Sequence, residues 1–256
     1  MTAPDATRRF SDRVADYVRY RPGYPDELLH CLRHDFGLSA ETTVADVGSG
    51  TGISSAFLLR SGCTVFGVEP NDGMRAAAEE QLACQARFRS VAGSAEATTL
   101  PDRSVDLVAA GQAFHWFDRD AARMEFARIL QPGGVAVLFW NSRSAAGTPF
   151  QRAYEQLLQR YGTDYAEVNH RRIDAESLRS FFGGPVSSRV FANAQTLDFA
   201  GLRGRLLSSS YTPAEGHADR APMLRALRNV FDDHQQDGEV TIAYDTEMYA
   251  SGLGPP

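Results

Sequence analysis

The sequence predicts an α/β fold, a doubly wound parallel sheet with helices on both faces and helical cap elements beside it. Three observations carry this. Strand-like and helix-like segments alternate from residue 43 to residue 140, the pattern a parallel sheet with crossover helices imposes. A glycine-rich turn, VADVGSGTG at residues 44–52, joins the first strand of that series to its first helix. Two longer strand-like segments, 188–197 and 240–249, follow in the second half with helical stretches between them. The 256 residues suffice for one domain with a substantial core.

Each element follows from local residue choice. Residues 43–47, 64–68, 88–92, 105–110 and 135–140 are short apolar or β-branched runs and read as strands. Helices are expected at 53–60, directly after the glycine turn, and at 72–84, which is rich in Ala, Glu and Gln. Another is expected at 119–130, with apolar Met124, Phe126 and Leu130 and a QPGG stop behind it. Later helices are expected at 150–161, 175–182, 202–208 and 221–234. The strands 188–197 and 240–249 are expected to pair as an antiparallel edge. The helical excursion between them exceeds what a hairpin needs, which places it over the site.

Composition narrows the function. There are 32 acidic and 26 basic residues, a net charge of −6, and every basic residue is arginine. A negative surface argues against a nucleic-acid substrate, which needs a basic face; a local basic patch remains at Arg171 and Arg172. Cys31, Cys63 and Cys84 are far apart and form no CxxC pair, so neither a disulfide framework nor a metal site is expected. The start, MTAPDATRRF, lacks the apolar core of a signal peptide, and no apolar run reaches the length of a membrane span. The expectation is a soluble, cytoplasmic protein with no membrane partner.

Ligands of doubly wound sheets bind beyond the carboxyl ends of the strands. Asp46 closes the first strand there, and Gly48, Gly50 and Gly52 let the backbone bend and approach a ligand closely. The following helix start offers free N–H groups. A structural turn or a dinucleotide site could produce the same glycines, and Asp46 could instead cap backbone N–H groups. Glu69 ends the next strand, where an acid can accept both hydroxyls of a ribose; its alternative is a helix cap. Ser94 and Glu96 of GSAE follow the third strand, placed to address an adenine edge.

In order, DVGSGTG, VEP, GSAE, PDRSVDLV and LQPGGVAVLFW resemble the motifs of class I S-adenosylmethionine (SAM)-dependent methyltransferases. The resemblance is closest to the small-molecule group that includes trans-aconitate methyltransferase-like enzymes. FSDRVADYVRYRPGYP, at residues 10–25, is similar to the N-terminal signature of that group. The resemblance covers the first 140 residues well and the rest loosely. It implies a Rossmann-like, seven-stranded sheet with the last strand antiparallel. It also implies a single domain over 1–256, with a lid segment at 1–30, a cofactor-binding core at 40–140 and substrate-side helical insertions at 141–238. Asp46 would lie near the ammonium of SAM, and Gly48, Ser49, Gly50 and Gly52 would wrap its methionine moiety. Glu69 would hold the ribose, Pro70 and Met74 would flank the adenine, and Ser94, Ala95 and Glu96 would read its edge. Gln112 and Ala113 would contribute backbone near the sulfonium.

The expected function is methyl transfer from SAM to an oxygen, nitrogen or sulfur of a small metabolite, leaving S-adenosylhomocysteine (SAH). Two rivals are a SAM-binding protein without turnover and a nicotinamide-dependent oxidoreductase. The latter is disfavoured by the GxGxG spacing and by the absence of any Tyr-x-x-x-Lys pair in a chain without lysine. Phe114, His115, Trp116 and Phe117 could be a core-packing turn. Otherwise Trp116 faces a cation and His115 takes a proton from the acceptor. Tyr17, Tyr20, Arg21 and Tyr24 surround the RPGYP turn, which suffices for a plain helix–turn–helix with a helix from Asp26. Folded over as a lid, Tyr20 and Arg21 would meet the SAM carboxylate or an acidic substrate. Asn141 and Arg143, the cluster His170, Arg171 and Arg172, and the loop SSSYTP at 208–213 are further substrate-side candidates. Either a monomer or a homodimer fits.

Overall fold

The computed structural model describes residues 14–144, 147–163, 165 and 173–253. In chain order the elements are α1 (Val14–Tyr20), α2 (Asp26–Phe36), β1 (Thr43–Val47), α3 (Ile53–Leu59), β2 (Thr64–Val68), α4 (Asp72–Gln81), β3 (Phe88–Val91), β4 (Val105–Gly111), α5 (Arg119–Ile129), β5 (Leu130–Arg143), α6 (Pro149–Tyr161), α7 (Ala175–Phe182), β6 (Ser187–Leu197), α8 (Phe199–Leu207), α9 (Arg220–His234) and β7 (Val240–Ser251). The candidate cluster His170, Arg171 and Arg172 lies outside the described residues, as do residues 10–13 of the N-terminal motif.

The sheet has the order β3-β2-β1-β4-β5-β7-β6. Neighbours from β3 to β5 are parallel, and β7 is antiparallel to both β5 and β6. This is the expected seven-stranded sheet with its last strand antiparallel. The winding reverses between β1 and β4, so the carboxyl ends of these two strands flank the crevice where a ligand fits.

Helices cover both faces of the parallel part, which explains why β1 and β4 read as nearly continuous apolar runs. On one face α5 and α7 bring Phe126, Ile129, Phe181 and Phe182 onto Val47, Val108 and Leu138. On the other, α2 and α3 bring Leu28, Leu32, Phe57 and Leu58 onto Val44, Leu107 and Phe139. A third core joins α6, α8 and α9 to the first half of β7, through Tyr154, Leu202, Leu206, Leu227, Val240 and Ile242. Short polar residues stop the helices from unravelling at their starts. Asn71 accepts the Met74 N–H at 2.9 Å, Asp174 that of Ser177 at 2.7 Å, and Asp198 that of Gly201 at 2.7 Å.

Some boundaries differ from expectation. β5 starts at Leu130, not 135, because QPGG forms a bulge: Val105 pairs with Leu130 but Leu107 with Val135. Gly133 takes φ +84° there. The helix expected from 202 begins at Phe199, since Asp198 caps it.

Candidate functional site

The glycine turn leaves β1 at the switch point. The N–H groups of Gly48 and Ser49 both donate to Val68 O, at 2.8 and 3.2 Å, which locks the turn to the end of β2. Gly48 has φ +71°, and a Cβ there would stand 2.6 Å from that of Ala113; the turn therefore packs directly on the segment after β4. Gly50 has φ +56°, and a Cβ there would meet nothing within 4 Å. Backbone lies open to a ligand at that position.

Glu69 faces the same opening. Its Oε2 accepts the Gly50 N–H at 2.9 Å and its Oε1 the Asn71 N–H at 2.8 Å. Each oxygen keeps lone-pair capacity for one more donor. Burial pushes this carboxyl above its ordinary pKa, partly offset by the two N–H bonds. Asp46 is fully buried. Its Oδ2 accepts from Ser54 and Ser55 at 2.7 and 2.6 Å, while Oδ1 is buried with no partner among the described residues. Burial raises its pKa to about 6, against the two serine hydroxyls and with help from the Glu69 charge. The capping alternative for Asp46 is not what the geometry shows, because Oδ2 accepts from the hydroxyls of Ser54 and Ser55 rather than from backbone N–H groups.

The expected adenine residues are distributed unevenly. Met74 and Ala95 are buried, Pro70 is exposed beside Glu69, and Ser94 is half-buried. Ser94 closes a tight turn with Ala97, N–H to O at 3.0 Å. The Glu96 carboxylate accepts the Asp118 N–H at 3.0 Å and so ties this turn to the loop after β4. Gln112 has φ +58°, a conformation that costs a non-glycine residue about 1–3 kcal/mol. Its side chain accepts the Asn141 N–H at 3.0 Å, joining the ends of β4 and β5. The aromatic cluster divides. Phe114 is core, edge-on to Phe181 at 4.7 Å, whereas His115 and Trp116 are half-buried with rings 4.8 Å apart.

The segment after α1 lies over these strand ends. Asn141 and Asn193 both donate to Gly23 O, at 3.1 and 2.9 Å, and Gln195 donates to Tyr20 O at 2.9 Å. The Tyr24 ring stands edge-on to Phe139 at 4.7 Å. Tyr20 packs against Gly204 of α8. Arg21 lies 4.6 Å over the Tyr17 ring and donates to Ser208 O at 2.9 Å. Tyr17, Tyr20, Arg21 and Asn141 are thus joined through this segment; His115 and Trp116 lie in the single 3-10 turn, Phe114–Trp116, that follows β4.

One residue of the site region, Arg205, was not singled out from the sequence. Arg205 is 6% exposed. It donates to Tyr244 Oη at 3.3 Å and Ser209 Oγ at 3.2 Å. Arg143 pairs with Glu155 at 3.1 Å and also contacts Tyr165 and Tyr211. The only local signal for Arg205 is an arginine inside the apolar run LRGRLL.

Together the open glycine, two buried acids with lone pairs to spare and backbone donors suit a ligand with an ammonium and ribose hydroxyls and no phosphate. Among the described residues no group of His, Cys, Asp and Glu could hold a metal ion, and no helix is long and apolar enough to cross a membrane.

Residues 45–138 match the methyltransferase domain family. An uncharacterized methyltransferase of Schizosaccharomyces pombe is 28% identical, over 94% of this chain and 97% of its own length. One from Geobacillus kaustophilus is 30% identical, over 72% of this chain and 89% of its own. The solved structure of a provisionally named type II methyltransferase from Anaeromyxobacter dehalogenans superposes with a TM-score of 0.67 at 22% identity, covering 93% of this chain and 100% of that one. At that identity the likeness speaks for the fold.

Proposed function

The chain belongs to the class I SAM-dependent methyltransferases, and we propose that it methylates an oxygen, nitrogen or sulfur atom of a small-molecule acceptor, leaving SAH. The observation that carries the cofactor placement is the Glu69 carboxylate, held by one N–H from the glycine turn and one from the α4 cap. Those two bonds hold both oxygens in place, and each keeps lone-pair capacity to which a ribose diol would donate. The free Oδ1 of Asp46 suits an ammonium, and Gly50 leaves room for the methionine chain. When bound, SAM supplies an electrophilic methyl group on a sulfonium. The chain's residues orient and enclose: Gln112 and Ala113 beside the sulfur, Trp116 as an aromatic face for its charge, and the Tyr17–Tyr24 segment as a cover against water. Alignment of the nucleophile supplies most of the acceleration when the acceptor is already anionic. Otherwise His115, at the rim, is the candidate base.

Calorimetry with SAM, SAH and NAD tests this. SAM and SAH should bind, and Glu69→Ala should weaken both by roughly 2–4 kcal/mol, about 30-fold or more, for two lost hydrogen bonds to a charged acceptor. NAD binding without SAH binding, or unchanged affinity in the variant, would overturn the pose. His115→Ala should slow turnover with Tm held if His115 is the base; a fall in Tm with turnover held would mark it as packing.

A further inference from the structure

We propose that Arg21, Arg143 and Arg205 form an oxyanion pocket that grips the acceptor by a carboxylate or phosphate, while a second atom of the acceptor receives the methyl group; this rests on the methyl-transfer reading above. The three guanidiniums come from separate places, the segment after α1, the end of β5 and the middle of α8. They converge on the same tyrosines. Arg143 donates to Tyr211 and Arg205 to Tyr244, the charges of all three arginines act on Tyr211, and that of Arg205 acts on Arg21. Among the described residues the one carboxylate paired with any of them is Glu155, on Arg143. Among the described residues positive charge is therefore in excess around the buried Arg205 and the half-buried Arg21 and Arg143, which is costly unless a matching anion arrives.

Two further observations point to a ligand. Arg21 Nε is buried and has no hydrogen-bond partner among the described residues. Burial and the neighbouring Arg205 both pull the Arg21 guanidinium below its ordinary pKa. The Tyr211 phenol responds to the same excess. Burial pushes it up, but Arg143 and Arg205 pull it down to about 8.

The pocket adjoins the methyl-transfer centre. Asn141, bonded to Gln112, and Arg143 lie two residues apart and so share a face of β5. Phe139 precedes them on that face, under Tyr24. Two residues of strand span about 7 Å. An oxyanion held by forked guanidinium bonds gives up its lone pairs to them and becomes a poor nucleophile. The acceptor is thus bifunctional, with its anion and its methyl-accepting atom several ångströms apart.

The test uses the full chain saturated with SAH and three para-substituted phenol probes: para-hydroxybenzoate, para-hydroxyphenyl phosphate and para-hydroxybenzamide. Calorimetry should show one anionic probe binding at least about tenfold more tightly than the neutral amide, and which one it is assigns carboxylate or phosphate. Arg143→Gln should lose about that factor, and Arg143→Lys should retain part of it. SAH affinity should stay within about twofold in both variants. Arg205 is left intact because it is buried; circular dichroism checks that the Arg143 variants fold. Equal binding of acid and amide, no binding of any probe, or no effect of Arg143→Gln would overturn the pocket. A parallel loss of SAH affinity would too, since the arginines would then serve the cofactor's own carboxylate. Failure of the unaltered chain to bind SAH would instead refute the cofactor site itself.

Discussion

Asp46 sits at the junction of stability and ligand binding. Its folded carboxyl titrates near 6 against an ordinary 3.8, chiefly through burial. The native state therefore holds a proton that the unfolded chain has already lost over that interval. Its stabilising contribution is complete below about pH 4 and is lost as pH rises through about 6. For a fully buried group this difference corresponds to roughly 3 kcal/mol. Asp46→Asn should flatten that part of the profile, seen by comparing urea unfolding at pH 4.5 and pH 7. The same proton reports on the cofactor. An ammonium beside Oδ1 would favour the carboxylate and pull its pKa back down. SAH binding near pH 6 should then release a fraction of a proton, measurable by calorimetry in two buffers of different ionisation enthalpy. Asp46→Asn should abolish the release; no release from the unaltered chain would refute the ammonium placement.

Among the elements, α1 and α8 depend on each other through one missing side chain. Gly204 lies inside α8, where glycine costs about 1 kcal/mol relative to alanine. The Tyr20 ring occupies the place of its Cβ. Gly204→Leu should raise helix propensity yet evict Tyr20 and loosen the cover. The expected result is faster tryptic cleavage at Arg19, since the Arg21–Pro22 bond resists trypsin, and SAH dissociation accelerated about tenfold, read by stopped flow; unchanged rates for both would show that the cover does not rest on this contact. Elements of this kind differ in how far sequence reveals them. The five parallel strands and the Glu69–Gly50 corner are short-range chemistry, a strand end and a turn nineteen residues apart that the sheet aligns, and they are legible. The bulge that carries β5 back to Leu130 is not, because QPGG equally signals a stop. Arg143, Glu155, Tyr165 and Arg205 are illegible as a group, since only the cap's tertiary packing brings them together. Taken singly, Arg143 reads as a substrate-side candidate after a strand end, while Glu155, Tyr165 and Arg205 carry no signal beyond that of ordinary helix and loop residues.

At the scale of the whole molecule, β7 decides whether the cap is a separate unit. Its inward residues alternate along its length, but they serve different cores. Val240, Ile242 and Tyr244 belong with α6, α8 and α9. Met248 and Ala250 belong with α2, α3 and the parallel strands. The same strand is bonded to β5 over Ala136–Arg143 and to β6 over Ser187–Leu197, which pairs with Val240–Ala250. Melting the cap would thus strip one side of a strand that the main sheet needs, and melting the sheet would remove the floor of the cap. We propose on this ground that the described chain unfolds as one cooperative domain. Leu202 is the sharpest probe, because it is fully buried in the cap core and belongs to neither of the main sheet's two apolar clusters. Leu202→Ala should cost about 2–5 kcal/mol. At roughly 2–4 °C per kcal/mol for a chain of this size, a single calorimetric transition should move down by about 4–20 °C without dividing. Splitting into two transitions, with the upper one left at its original temperature, would show instead that the cap folds as a domain of its own.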